Sequence, residues 1–237
     1  MLYSAVLILS FSTSFASASI SDNDIQNNSS ELFKEFLTKA KSKPSSTMGR
    51  RRRAPPGTYD FNGVPVAERC ESFVGSDEAL GSNGVLTQQE LTQNTKDYSR
   101  LMSSSALGDV CPNYPNLNAD SRGFIWAVIL TAVANFESSC DGSQTAAGPN
   151  GTARGLFQLH QGHEAGYDNE NECIKNASYS EENSIKCALG MLDLQLQKEG
   201  KLFSNRSYWE VLRPNGNSQR ADDIERALSN SSFCKID

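Results

Sequence analysis

The chain has 237 residues, with 22 Lys/Arg against 28 Asp/Glu and a formal net charge of −6. The charge is split: residues 1–53 carry 8 basic and 4 acidic side chains, and the remainder is net −10. A folded part this acidic excludes a nucleic-acid binder, which needs Lys and Arg to neutralise phosphates. Beyond the N-terminus no apolar run reaches the about 20 residues that a membrane span requires.

The first residues read as a secretory signal peptide over 1–18. An apolar run from Leu2 to Phe15 precedes the small-residue pattern Ala16-Ser17-Ala18, which predicts export to a secreted or periplasmic location. Residues 19–57 are rich in Ser, Asn and Lys, with one amphipathic piece at Glu31 to Ala40. This segment reads as a low-complexity linker. Its Arg50 to Arg53 run fits a solvated linker, a processing site or a tether to an anionic surface. Residues 58–237 are then long enough for one domain, expected as a monomer. Six cysteines at 70, 111, 140, 173, 187 and 234, none in a C-x-x-C pair, predict disulfides rather than a zinc ribbon or redox site. A bridge at Cys140 would stiffen the loop that follows Glu137.

From Asn83 to Glu90 the chain resembles the second half of an EF-hand loop. The first half fails, because Ala79 and Gly81 stand where carboxylates belong. The pair Thr87 and Glu90 also forms a capping box, which predicts a helix running to about Leu101. Pro112, Pro115 and the residues up to Asp120 form a loop. Phe124 to Phe136 is then apolar except for Thr131 and Asn135, a pattern expected of a helix buried on all sides and capped by Asp120 or Ser121. Glu137 ends that helix. A carboxyl at the edge of a dry core resists ionisation, as a general acid working near neutrality must.

Asp141 to Thr152 is predicted as a loop beside a cleft. His160 and His163 invite a metal reading, but the spacing is not that of zinc peptidases, and Gly162 and Gly166 favour a loop. The histidines fit contact with sugar better, so no metal or cofactor is assigned. Glu164, Asp168, Glu170 and Glu172 form an acidic run, read either as a solvated loop or as a rim that recognises amines. Ser180 to Gly200 is predicted as a helix, with Ile185, Leu189, Leu192 and Leu196 on one stripe. Tyr208 to Leu212 is a short helical piece, Ala221 to Leu228 a last helix, and Cys234 pins the tail. No run of alternating strands is visible, so the domain is expected to be mostly α.

Two stretches carry a resemblance. Glu137-Ser138 at the end of an apolar helix, followed by Ala153-Arg154-Gly155-Leu156-Phe157-Gln158-Leu159, resembles the soluble lytic transglycosylases of the lysozyme-like superfamily. Ser184 to Leu196 looks like the helix that follows in that family, and the likeness spans about Arg122 to Leu212. It implies a lysozyme-like domain with a substrate groove, needing no cofactor. Glu137 would be the acid, with Ser138, Gly155, Leu156, Phe157, Gln158, His160 and Tyr167 lining the groove, and Gly155 letting backbone approach the sugar. The chain departs from the pattern in lacking an Asn-Pro after Glu-Ser and the usual cleft tyrosine. Tyr208, Tyr167 or Tyr179 could stand in for that tyrosine.

The implied activity is that of a muramidase, a lytic transglycosylase or lysozyme acting on the β-1,4 bond between N-acetylmuramic acid and N-acetylglucosamine of a peptidoglycan strand. A second carboxylate such as Asp141, Glu164 or Asp168 would orient water if the reaction is hydrolytic. The negative charge suits a deacetylated strand. Two other classes fit the same residues: a non-catalytic wall-binding protein that keeps the groove, and a metal-dependent hydrolase built on His160 and His163.

Overall fold

In the computed structural model the chain divides into two units, Met1–Arg51 and Arg52–Asp237. The structure describes residues 56–148, 150–167 and 172–236. The expected signal peptide and nearly all of the expected linker lie outside them, as do Asp168 and Glu170.

The second unit begins with a hairpin, β1 (Thr58–Phe61) and β2 (Val64–Ala67), paired antiparallel. Asn62 and Gly63 both have positive φ (52° and 90°), as a two-residue hairpin turn requires. Alternation buries Phe61, Val64 and Val66. Helix α1 (Ser82–Gln93) follows. Thr87 lies inside it, its Oγ1 donating to the Asn83 carbonyl at 2.7 Å. The EF-hand resemblance and the capping-box reading are both corrected: Asn83 to Glu90 is helix interior, and the helix starts at Gly81. Gly84 is needed because a Cβ there would run into the Phe73 carbonyl. The helix stops at Asn94, short of Leu101.

Helix α2 (Ala119–Ser138) is the axis of the unit, and Gly123 to Ala134 is buried without interruption. Its cap is Asn118, whose side chain accepts from the Ser121 amide, rather than Asp120 or Ser121. The helix packs against α1, β2 and α4 (Arg220–Asn230). Helix α3 (Glu181–Glu199) is capped by Ser180 and ended by Gly200 at φ 67°, as the sequence suggests. Its buried Asp193 accepts from the Arg100 and Leu101 amides at 2.8 and 3.0 Å.

Between α2 and α3 lies an antiparallel sheet of β3 (Thr145–Gly148), β4 (Gly151–Arg154) and β5 (Leu159–His160). Sequence reading takes this stretch for loop. Its strands are only two to four residues long, mostly exposed in β3 and β4 and buried at Ala153, Leu159 and His160, so no buried alternation marks it. The architecture is therefore helical with two small sheets. All six cysteines are paired, as Cys70–Cys140, Cys111–Cys234 and Cys173–Cys187. Among the described residues no helix is long and apolar enough to cross a membrane.

Candidate active site

At the end of α2 the chain turns sharply. Ser139 and Cys140 both take left-handed backbone (φ 54° and 57°), and the amide of Cys140 caps the helix by donating to the Ala134 carbonyl at 3.1 Å. The disulfide to Cys70 fixes this reversal. Glu137 therefore stands on a rigid base, lining a cleft of about 300 Å³ with Arg69, Phe136, Asp141 and Gln144.

Two carboxyls in this cleft are pushed in opposite directions. Burial, and then the negative charge of Glu210, raise Glu137 to about 7. The C-terminal end of α2 adds its partial negative charge in the same sense. Asp141 is held below the usual carboxylate range, first by the Ser143 hydroxyl and amide and then by its ion pair with Arg69. One group is neutral up to neutrality and the other ionised, the division of labour seen where a site needs an acid beside a fixed negative charge.

The other expected site residues divide into those that build the cleft and those that serve its foundation. Ser138 is buried, and its Oγ donates to Leu156 O at 2.8 Å and to Ala134 O at 3.2 Å. It ties the helix end to the Gly155–Gln158 turn. Leu156 and Phe157 are core residues with 1 % and 0 % exposure. Gly155, at φ 77°, is needed because a Cβ would stand 2.6 Å from the Ser178 carbonyl. The backbone that approaches it is therefore the protein's own. Gln158 (φ 49°) donates from Nε2 to the Gly155 and Gln144 carbonyls at 3.0 and 3.2 Å, linking the turn to a cleft-lining residue.

His160 and Tyr167 do come together, with a partner that the sequence leaves open. His160 Nδ1 lies 2.9 Å from the Tyr167 hydroxyl and 3.2 Å from that of Tyr208, and Tyr208 also donates to Gln158 O at 3.1 Å. Burial raises the Tyr208 phenol, and the charge of Glu137 is among the further causes. Tyr208 is thus the tyrosine tied to the acid's surroundings, while Tyr179 is exposed elsewhere. Its neighbour Trp209 anchors the strip by donating to Phe157 O at 2.9 Å.

Two readings are corrected. Glu164 is neither solvated loop nor rim, being fully buried. Burial alone would raise it, but the Ser178 hydroxyl at 2.6 Å and the amides of Asn176 and Ser178 outweigh that and hold it below its usual range. It pins the Ala177–Tyr179 turn. The histidines do not act as a pair: His160 is buried and His163 exposed. Among the described residues no group of three or more His, Cys, Asp or Glu could hold a metal ion. Glu210 and Arg69, which set the charge balance of the cleft, carry no local sequence signal.

No protein-family model matches the chain, and no curated protein matches it. Solved structures do. Wild-type Bd0314 DslA (form 2) superposes with a TM-score of 0.55 at 21 % identity, over 65 % of this chain and 91 % of its own. The chain shares its fold. Two variants of Bd0314 DslA, each with one glutamate replaced by glutamine, superpose with a TM-score of 0.54 over the same shares, at 21 % and 20 % identity.

Proposed function

We propose that the protein is a peptidoglycan-cleaving glycosidase of the lysozyme-like kind, cutting the β-1,4 bond between N-acetylmuramic acid and N-acetylglucosamine. The observation that carries this reading is Glu137: a carboxyl raised to about 7, on a disulfide-fixed helix end, in an open cleft beside an ionised Asp141. That two Bd0314 DslA variants exchange glutamate for glutamine supports it further, since the exchange keeps shape and removes an ionisable proton.

Neutral Glu137 donates its proton to the glycosidic oxygen as the bond to the leaving sugar breaks. Positive charge builds on the remaining ring as an oxocarbenium-like state. Asp141, ionised and paired with Arg69, stabilises that charge and is the carboxylate that can orient water. Glu164 is withdrawn from this role because its oxygens are committed to Ser178 and Asn176. If the sugar's own 6-hydroxyl or acetamido group attacks instead, no second carboxylate is needed. Ser138, Leu156, Phe157 and Gln158 act by holding the cleft wall, and the cluster of Tyr208, His160 and Tyr167 by bracing the Gln158 turn.

Residues 1–18 are the export signal, 19–57 a linker and 58–237 the catalytic domain of a secreted or periplasmic monomer. The acidic charge favours strands whose sugars carry free amines. Product masses after digestion of purified peptidoglycan test the reading: new reducing ends mark a lysozyme and anhydro ends a transglycosylase. Intact strands would leave a non-catalytic wall-binding protein.

A further inference from the structure

Sharing Asp141 with the Glu137 cleft is a second cavity of about 430 Å³, lined also by Arg154, Leu156, Tyr179, Glu181 and Ser184. Its unusual member is Arg154. The guanidinium carbon sits 4.5 Å from the Tyr179 ring centroid. Among the described residues the guanidinium makes no hydrogen bond or ion pair, and its Nε is buried without a partner. A buried charged donor left unpaired costs stability, and cation–π contact with one ring replaces none of its hydrogen bonds.

Several features hold the platform beneath it. Gly155 lets β4 close onto the Ser178 carbonyl. Glu164 accepts from Asn176 and Ser178, Ser184 Oγ donates to Ala177 O at 3.0 Å, and Cys173–Cys187 closes the segment. Together they present Tyr179, a ring 54 % exposed, under the guanidinium. Two acids also line the cavity: Asp141 is paired with Arg69, and Glu181 Oε2 accepts from Asn83 at 2.9 Å. Gly142 also lines the cavity, and a Cβ there would come within 2.9 Å of Glu181 Oε1.

We infer that this cavity is a carboxylate-binding subsite in which Arg154, levelled on Tyr179, receives an acidic group of the substrate. A planar guanidinium with free N–H groups matches a carboxylate bidentately. The inference rests on the glycan-strand reading, in which such a group has two sources: the lactyl carboxylate of muramic acid and the carboxylates of its peptide stem. Arg154 would then select strands by their acidic substituents, while Glu137 acts on the bond between sugars.

The test is binding without turnover, using the full chain with Glu137→Gln, with and without Arg154→Gln. Calorimetric titration uses three probes: the chitin disaccharide, the N-acetylglucosamine–N-acetylmuramic acid disaccharide with its lactyl carboxylate free, and the same disaccharide bearing its stem. Arg154→Gln should weaken a carboxylate-bearing probe by about ten-fold or more and leave the chitin disaccharide unchanged. Whichever acidic probe responds identifies the source. Arg154→Lys, which keeps the charge and the packing stem, should restore part of the loss. Equal weakening of all three probes, or none, overturns the subsite, and so does failure of every probe to bind. Because no cleavage is read, an inactive wild type would refute the glycosidase and leave this result standing.

Discussion

Glu137 keeps its proton late because it is desolvated, faces the charge of Glu210 and ends a helix. In the proposed reaction the working form is the protonated one, so activity should fall as pH rises through about 7. Glu210→Gln removes a negative neighbour and should move that alkaline limb to lower pH, more at low salt than at high salt. An unmoved pH–rate profile would separate Glu210 from the acid. The same shift has a stability consequence. In the unfolded chain Glu137 ionises near its ordinary 4.5, while in the fold it waits until about 7. The unfolded state therefore loses the proton first, and stability drains as pH rises between these values. Glu137→Gln should melt like wild type at pH 4 and be more stable at pH 8, by up to ~3 kcal/mol. Thermal melts at the two pH values check this.

Elements differ in how plainly they announce themselves. Helix α2 is legible because its apolar run has no polar face to turn toward water, and the carboxyl of Glu137 marks where that run ends. Helix α3 is legible because Ser180 and Gly200 mark both ends. The β3–β4–β5 sheet is hidden, since its short strands of mostly Thr, Ala and Gly bury only Ala153, Leu159 and His160. Nor could spacing tell which cysteine joins Cys140; that pairing follows from β2 and its following turn folding back onto the end of α2. The bridge spans a sequence separation of 70, and replacing both cysteines by serine should cost about 2–4 kcal/mol and lower turnover by loosening the base of Glu137. Denaturant titration beside activity measures both. At the neighbouring turn, Gly155→Ala forces a Cβ into left-handed backbone against the Ser178 carbonyl, and about 2–3 kcal/mol should be lost. The sequence marks this glycine as special but misassigns what it touches, because the Ala177–Tyr179 turn arrives from a distant part of the chain.

Across the whole molecule the acidic charge acts at longer range. On the proposed function, anionic wall polymers should be repelled and amine-bearing strands drawn in. At low salt, deacetylated strands should be turned over faster than acetylated ones, and the ratio should shrink toward one as salt rises. Equal rates at low salt would remove the preference. The composition shows this sign of charge, whereas the placement of Glu210 and Arg69 around the cleft emerges only when separate elements meet. Digestion of purified peptidoglycan by wild type and Glu137→Gln, followed by product masses, tests the central claim most directly. Wild type should release muropeptides, and the variant, folded and melting like wild type at pH 4, should do so at least about 100-fold more slowly. A variant that cleaves as fast as wild type would contradict the account.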